Sequence, residues 1–283
     1  MCIRDSIYGV QFHPESILAE MGVNILSNFL TNVVGVKVEG AVPAIPMDKR
    51  TSLKKYIAMA VDRKDLTEDE AYSAMNIIMG DAATPAQTAA FLVAMRMKGE
   101  TIDEITGFAK GMRSKASVIE GFRSAIDIVG TGGDMAGTFN ISTTSSFVIA
   151  AAGIPVAKHG NRSMSSKSGS ADCLEQLGIN INITPEKSEE VLNKAGICFM
   201  FAQGYHSSMK YVGPVRKEIG IRNIFNVLGP LTNPAGADLQ VTGVYSEALV
   251  EPIAQVFSNL GVKKGYVSVS YTHLRAHETE LHL

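Results

Sequence analysis

Cysteine is scarce in this chain of 283 residues, which contains only Cys2, Cys173 and Cys198. Three widely separated cysteines fit neither a disulfide framework nor a zinc site. The N-terminus also lacks a basic segment followed by an apolar one, the pattern of a signal peptide. The cytoplasm is therefore the expected compartment. No apolar run reaches the roughly 18 residues of a membrane-spanning helix, so we expect no membrane partner.

An excess of positive charge is missing as well. The sequence has 26 Lys and Arg against 28 Asp and Glu, for a net charge of −2. Proteins that bind nucleic acid mainly by neutralising phosphates are usually basic, so no nucleic-acid partner is expected. Charged residues make up only 19% and hydrophobic residues 46% of the chain. That composition excludes an intrinsically disordered chain, and the length predicts about two domains.

The two ends of the chain do not fit the pattern of the middle. Residues 1–6 (MCIRDS) and 271–283 (YTHLRAHETELHL) have no structural logic of their own, and we interpret both as non-native. Residues 7–34 predict an extended piece and then a helix. Residues 35–50 carry glycine, proline and positive charge, which is typical of a linker.

A small helical domain is predicted over residues 51–121, with part of 185–225 added to it. Four short helices follow one another up to residue 116, and three of them begin with a capping box, in which side chains satisfy the free N–H groups of the first turn. The boxes are formed by Thr67 and Glu70, Thr84 and Gln87, and Thr101 and Glu104.

From residue 122 to residue 270, short apolar strands alternate with helices. Strands are predicted at 124–129, 154–157, 179–183, 197–202, 240–245 and 265–270, and helices at 143–152, 171–177, 185–195 and 249–260. This alternation predicts an α/β domain with a mostly parallel sheet covered on both faces. Right-handed crossovers then place the carboxyl ends of the strands, and any ligand crevice, along one edge.

A glycine-rich turn, Gly130-Thr131-Gly132-Gly133-Asp134, directly follows the first predicted strand. Its consecutive N–H groups can form a nest for an anion, and the helix start after it, around Asn140, suits a phosphate. The dinucleotide fingerprint fails at Met135, and the Walker sequence is absent. An ordinary strand–helix turn is the alternative, which the polar helix start makes less favoured.

A second polar loop, Lys158–Ser170, follows the next strand and carries three cations, five serines and two glycines. On its own it could be a solvated loop. Strand order, however, brings it to the same sheet edge as the first loop. Two such loops around one crevice predict a site for a polyphosphorylated ligand.

Three segments resemble the anthranilate phosphoribosyltransferase family: GTGGD with NIST, KHGNRSMSSKSGSADCLEQLG, and RKEIGIRNIFNVLGPLTNP. The resemblance covers residues from about 50 to 270. It implies a small helical domain, a larger α/β domain of the nucleoside phosphorylase and phosphoribosyltransferase type, and a homodimer. It also implies Mg²⁺-dependent transfer of phosphoribose from phosphoribosyl pyrophosphate to the amine of anthranilate, with release of pyrophosphate, in tryptophan biosynthesis.

The resemblance also implies the roles of individual residues. The phosphoribosyl pyrophosphate site would consist of Gly130, Gly133, Asp134, Thr138, Asn140, Ile141, Ser142, Thr143, Lys158, His159, Gly160, Asn161, Arg162, Ser163, Met164, Ser165, Ser166 and Ser170. Ser142 would bind Mg²⁺, and Gly130, Asn161 and Arg216 would contact anthranilate, whose carboxylate suits a bidentate guanidinium. Lys158 and Asp134 are candidates for stabilising developing charge. No general base is assigned, and His159 is interpreted as a structural loop histidine.

One stretch departs from the family pattern. The family carries an Asp-Glu pair that binds Mg²⁺ shortly after the last strand, whereas residues 271–275 here read YTHLR. We therefore expect a truncated chain that has lost a metal site and has weak or no activity.

The N-terminal segment YGVQFHPES, residues 8–16, resembles the end of a class I glutamine amidotransferase. In that family the histidine and glutamate of this motif, here His13 and Glu15, orient and activate a cysteine nucleophile. The nucleophile's own motif is absent upstream. We interpret residues 1–34 as a vestigial glutaminase, which implies a parent protein with an anthranilate synthase component.

Two other functions stay open at this stage. A pyrimidine nucleoside phosphorylase would share the fold, and phosphorolysis of a pyrimidine nucleoside would identify it. A non-catalytic relative that binds nucleic acid would instead show salt-dependent DNA binding and no affinity for the phosphoribosyl donor.

Overall fold

The computed structural model describes residues 53–132, 140–163 and 168–269. The predicted glutaminase remnant, the 35–50 linker and the 271–283 tail all lie outside these ranges. Among the described residues, no helix combines the length and the apolar character needed to cross a bilayer.

Four helices form the first part of the described chain: α1 (Lys54–Val61), α2 (Glu68–Met79), α3 (Pro85–Lys98) and α4 (Ile102–Arg113). All three predicted capping boxes are present, with both hydrogen bonds of each box formed. Helices α2 and α4 approach so closely that a Cβ on Gly107 would lie 2.2 Å from the Glu68 carbonyl oxygen. A glycine is therefore needed at this crossing.

A buried charge joins the helices together. The side chain of Glu104 is fully buried and accepts hydrogen bonds from the Leu66 and Thr101 backbone N–H groups, each at 2.8 Å. It also accepts from Lys98 Nζ at 2.8 Å, and Lys98 contacts Asp65 at 2.6 Å. Because its oxygens are fully used, this carboxylate fixes the loop before α2 and the start of α4.

The second part is a five-stranded sheet with the order β3-β2-β1-β4-β5, in which every neighbouring pair is parallel. Its strands are β1 (Ile126–Gly130), β2 (Val156–Gly160), β3 (Ile197–Phe201), β4 (Leu239–Val244) and β5 (Lys264–Val269). The helices are α5 (Ile141–Ala151), α6 (Ser170–Gln176), α7 (Pro185–Ala195), α8 (Ala202–Tyr205), α9 (Gly213–Ile219), α10 (Phe225–Leu228) and α11 (Val250–Asn259). This architecture confirms the predicted fold class.

The predicted strand at 179–183 is wrong. The structure has no strand over these residues, and β3 takes the place beside β2, with Val156 opposite Ile197. Of the isoleucines in this segment, Ile181 packs into a cluster with Leu174 and Phe199, whereas Ile179 is 39% exposed. The alternation of isoleucine with polar residues therefore does not mark the buried face of a strand here.

The hydrophobic core is continuous between the two parts. One cluster contains Phe91 and Phe108 of the helices together with Val244 of β4 and Phe257 of α11. Val212 belongs to the same cluster, so the region before α9 also packs on the helices. Buried apolar side chains therefore link the helices directly to one end of the sheet.

Candidate functional site

The two predicted polar loops start at the same edge of the sheet. Strands β1 and β2 are parallel neighbours, with Ile126 opposite Val156, and they end at Gly130 and Gly160. The segments that follow them therefore leave the sheet side by side. Six of the predicted site residues lie outside the described ranges: Gly133, Asp134, Thr138, Met164, Ser165 and Ser166. The proposed approach of Asp134 to Lys158 thus stays a prediction.

Helix α5 begins two residues before its predicted start because Asn140 caps it. Asn140 Oδ1 accepts a hydrogen bond from the Thr143 N–H at 3.3 Å. The predicted residues of this first turn differ in exposure: Ile141 is 51% exposed, Ser142 is half-buried and Thr143 is buried. The positive end of the helix dipole therefore lies at the Asn140 end of α5, where Ser142 contacts Lys158.

Lys158 is a buried cation at the centre of this arrangement. It is 2% exposed on β2, and its Nζ donates to the Ile128 carbonyl of β1 and to Ser142 Oγ of α5 at 3.3 Å. Burial lowers the pKa of Lys158 to about 8, and the nearby Asp127 opposes this shift. Lys158 therefore remains mostly protonated at neutral pH and brings a positive charge to the start of α5.

Asp127 is a site residue that the sequence analysis missed. It is fully buried on β1, and its Oδ1 accepts the His159 backbone N–H at 3.1 Å. Burial raises the pKa of Asp127 to about 6, and Lys158 partly offsets this effect. The sequence did contain a signal for it, which is the single acidic residue inside the apolar segment SAIDIV. Carboxylates are rarely fully buried unless they are paired, so an acid in a buried strand indicates a specific partner.

His159 lies away from Lys158, since successive side chains of a strand point to opposite faces. The ring is 3% exposed, with Nδ1 3.1 Å from the Gly229 carbonyl oxygen and its centroid 5.1 Å from that of His206. Burial lowers the pKa of His159 to about 3 and that of His206 to about 4. Both rings are therefore neutral and enclosed, which fits a structural role for His159. The predicted loop position is wrong, because Lys158 and His159 belong to strand β2, which ends at Gly160.

The ends of the second loop meet closely. A Cβ on Gly169 would lie 2.3 Å from the Ser163 nitrogen, and a Cβ on Gly160 would lie 2.6 Å from the Phe199 ring. The Asn161 carbonyl accepts the Ala171 N–H at 3.3 Å. Glycine at both places thus lets the chain return to the sheet edge, where Ser170 begins α6.

The other predicted contacts come from different elements. Arg162 makes ion pairs with Asp172 at 3.0 Å and with Glu175 at 2.6 Å. Arg216 lies on α9, with its guanidinium carbon 5.2 Å from the centre of the Phe225 ring, and burial lowers its pKa. His13 and Glu15 lie outside the described residues.

For a metal ion, the described ranges contain no group of three or more His, Cys, Asp or Glu side chains close enough to act as ligands. Ser142 offers one hydroxyl oxygen, which already receives a hydrogen bond from Lys158. Mg²⁺ prefers six oxygens, among them substrate phosphates and waters. The described residues therefore fit Mg²⁺ only as an ion held largely by a phosphorylated substrate.

The chain also resembles known proteins over most of its length. Residues 123–280 match the glycosyl transferase family, a/b domain, and residues 54–116 match the helical bundle domain of the same family. Residues 1–33 match class I glutamine amidotransferases. Both resemblances drawn from the sequence motifs are thereby confirmed. The first match extends past residue 270, so the foreign origin of the tail stays a prediction.

Two curated relatives are anthranilate phosphoribosyltransferases. The protein from Ruminiclostridium cellulolyticum is 59% identical over 215 residues, which cover 76% of this chain and 63% of the relative. The protein from Geobacter sulfurreducens is 55% identical over 231 residues, covering 76% of this chain and 66% of the relative. The chain thus spans slightly less than two thirds of the length of these relatives.

Solved structures show the same fold. Anthranilate phosphoribosyltransferase from Thermus thermophilus is 43% identical with a TM-score of 0.74, over 77% of this chain and 66% of that one. The enzyme from Saccharomyces cerevisiae, in complex with PRPP and Mg, is 25% identical with a TM-score of 0.71, over 77% and 65% of the two chains. With more than half of its residues matched by one family, the chain belongs to the glycosyl transferase family with an α/β domain and a helical bundle domain.

Proposed function

We propose that this chain is an anthranilate phosphoribosyltransferase, which transfers the phosphoribosyl group of phosphoribosyl pyrophosphate to the amine of anthranilate in tryptophan biosynthesis. The observation that carries the proposal is the buried cation Lys158, bonded to Ser142 in the first turn of α5 at the edge where β1 and β2 end. Such a site suits a diphosphate, because the ammonium group and the helix dipole both attract it. The names of the curated relatives supply the acceptor.

In this proposal the aromatic amine attacks C1 of the ribose, a C–N bond forms, the C–O bond to pyrophosphate breaks, and the nitrogen gives up one proton to water. Negative charge then develops on the leaving group. Lys158 and the N–H groups at the start of α5 stabilise this charge, and Gly130 leaves room for the substrate near the backbone. His159 and His206 are buried, and burial lowers the pKa of both rings, so both are weak bases and neither is assigned that role.

Anthranilate would bind next to this site through Gly130, Asn161 and Arg216. The guanidinium of Arg216 can pair with the carboxylate through two parallel hydrogen bonds. The half-buried position of Arg216 favours this role, because burial strengthens a pair with an incoming carboxylate.

Mg²⁺ would reach the site with the diphosphate, and Ser142 would contribute one oxygen to it. When bound, the ion would neutralise part of the phosphate charge. Since residues 271–275 read YTHLR in place of the acidic pair of the family, we propose that Mg²⁺-dependent turnover by this chain is weak.

Titration calorimetry with phosphoribosyl pyrophosphate and Mg²⁺, followed by anthranilate, tests the proposal. We expect saturable binding of the donor and then of anthranilate, with slow formation of phosphoribosyl-anthranilate. A wild-type chain that binds no donor would contradict the assignment. Phosphorolysis of a pyrimidine nucleoside, or DNA binding without donor binding, would favour the two other functions considered above.

The remaining properties implied by the family are also proposals. They are a homodimer formed through the helical domain, a cytoplasmic location, and a parent protein that includes an anthranilate synthase component. Sedimentation analysis of the chain would test the dimer.

A further inference from the structure

Asp172, on α6, holds both ends of the second loop with a single carboxylate oxygen. Its Oδ2 accepts the Ser163 backbone N–H at 3.1 Å and the Gly169 backbone N–H at 2.8 Å. Ser163 precedes the loop tip and Gly169 follows it. These two hydrogen bonds therefore close the base of the loop, with the carboxylate lying between its two ends.

Arg162 holds the other oxygen of the same carboxylate. Its Nη1 lies 3.0 Å from Asp172 Oδ1, and its two terminal nitrogens lie 2.6 and 2.8 Å from the oxygens of Glu175. The guanidinium therefore joins α6 to the strand end by a bidentate pair and a single contact. Hydrogen bonds of the Ser163 and Gly169 backbone, together with Arg162, lower the pKa of Asp172, so the carboxylate is ionised in this clamp.

The backbone at the base of the loop has no spare room. A Cβ on Gly169 would meet the Ser163 nitrogen at 2.3 Å, the Arg162 carbonyl carbon at 2.7 Å and the Asn161 oxygen at 3.0 Å. The two ends of the loop can approach this closely only because residue 169 is a glycine. This close approach is an independent sign that the separation of the loop ends is fixed.

The clamp contributes little to global stability. Arg162, Asp172 and Glu175 are 43%, 32% and 35% exposed, and ion pairs between exposed side chains add little to the free energy of unfolding. Its effect is local instead, because the clamped backbone carries Asn161, Ser163 and Ser170. These three residues belong to the site proposed above for phosphoribosyl pyrophosphate.

We infer that Asp172 is a positioning residue for the phosphoribosyl pyrophosphate site, and that Arg162 acts through Asp172 instead of touching the substrate. The inference rests on the proposed function. It gives Arg162 an indirect role, whereas the motif predicted a direct contact with phosphoribosyl pyrophosphate. Glu175 serves only to hold Arg162, since it makes no bond to the loop backbone among the described contacts.

The test compares Asp172→Asn with Glu175→Gln as the matched control. Asp172→Asn keeps the size of the side chain and removes the charge that holds two backbone N–H groups and Arg162. We expect about tenfold weaker binding of phosphoribosyl pyrophosphate, faster hydrogen exchange of the Ser163 and Gly169 amides, and an almost unchanged melting temperature. Glu175→Gln should weaken binding by no more than about twofold.

A double variant separates indirect from direct action of Arg162. If Arg162 acts through Asp172, then Arg162→Gln combined with Asp172→Asn should bind no more weakly than Asp172→Asn alone. Additive losses would show a direct contact and overturn that part of the inference. If Asp172→Asn does not fold, Arg162→Lys takes its place, because it keeps the positive charge and loses the bidentate guanidinium. It should weaken donor binding and speed amide exchange in the same way, but by smaller factors.

The outcomes distinguish this inference from the proposed function. Failure of the wild-type chain to bind the donor overturns both. If the wild-type chain binds the donor and Asp172→Asn binds it equally well, even with faster amide exchange, the positioning role alone is overturned. Weakened binding with a large loss of melting temperature would show a structural role and would also overturn it.

Discussion

Lys158 Nζ lies 3.3 Å from Ser142 Oγ, which joins the middle of β2 to the first turn of α5. The same ammonium group donates to the Ile128 carbonyl of β1. One side chain thus connects the two strands and the helix that form the proposed diphosphate site. Because the cation is buried, its charge is weakly screened and its position is fixed by protein atoms.

Replacing Lys158 should remove most of the affinity for the donor. Lys158→Met keeps the length of the side chain and deletes the charge, and a charge-assisted hydrogen bond is worth about 1.5–3 kcal/mol, or about 10- to 150-fold in Kd. Lys187→Met, at an exposed lysine paired with Glu190, is the control and should bind normally. Calorimetry measures both, and equal affinity of the two variants would contradict the assigned site.

The affinity for the donor should fall at alkaline pH. The pKa of Lys158 is about 8 in the folded chain, so above this pH the lysine loses its proton and must regain one when the diphosphate binds. We expect Kd to rise by up to about tenfold for each pH unit above about 8. Calorimetric titrations across this range check the slope. Lys158→Met should show a flat profile, and a sloping one would assign the effect to another group.

Acid should destabilise the chain through its buried histidines. Burial lowers the pKa of His159 to about 3, from an ordinary value of 6.5, so the unfolded chain binds the proton more readily. The stabilising effect is complete above pH 6.5 and is lost as the pH falls toward 3.

Replacing the ring tests this dependence. His159→Asn should reduce the pH dependence of the free energy of unfolding by about 1.4 kcal/mol per pH unit within that window. Urea unfolding at several pH values measures the slope. An unchanged slope would show that His159 is not the group responsible.

Removal of the buried carboxylate of the helices should be costly. Glu104→Gln removes the charge of a fully buried carboxylate but leaves Lys98 paired with Asp65, and a hydrogen bond to a charged group is worth about 1.5–3 kcal/mol. Glu190→Gln removes an exposed carboxylate from two surface ion pairs and should hardly change the free energy of unfolding. Urea unfolding of both variants is the measurement. If both variants lose similar amounts of unfolding free energy, the buried Glu104 contacts contribute no more to stability than surface ion pairs do.

A methyl group at the crossing of α2 and α4 should also destabilise the chain. In Gly107→Ala the new Cβ meets the Glu68 carbonyl oxygen at 2.2 Å and the Ala71 Cβ at 2.8 Å, and overpacking of this kind costs about 1–3 kcal/mol. Gly204→Ala in α8 is the control, since a Cβ there has no atom within 4 Å. Thermal unfolding should show a lower midpoint for the first variant only.

The sequence predicted well those features that depend on neighbours along the chain. The capping boxes at Thr67, Thr84 and Thr101 were identified because cap and partner are three residues apart. The strand at 179–183 was predicted wrongly, since Ile181 owes its burial to Phe199 of β3, which is distant in sequence. The alternation of apolar and polar residues along a segment does not show whether that segment pairs with another strand.

The site was predictable to a similar extent. The motifs identified Lys158 and Ser142, and strand order predicted that they would share one edge. Asp127 was missed because its role depends on burial and on the His159 backbone, which no spacing along the chain reveals. The partners of Arg162 were missed for the same reason, as its contacts with Asp172 and Glu175 form only once α6 folds back on the strand end.

The hydrophobic cluster that runs from Phe91 and Phe108 to Val244 and Phe257 makes the two parts of the chain a single cooperative unit. A single calorimetric transition is the thermodynamic consequence, because neither part can melt without exposing the side chains on which the other depends. A separate fragment of the four helices would expose the apolar side chains of this cluster to water and would tend to aggregate. Rotation of the four helices as a rigid body against β4 would therefore require these shared apolar contacts to break.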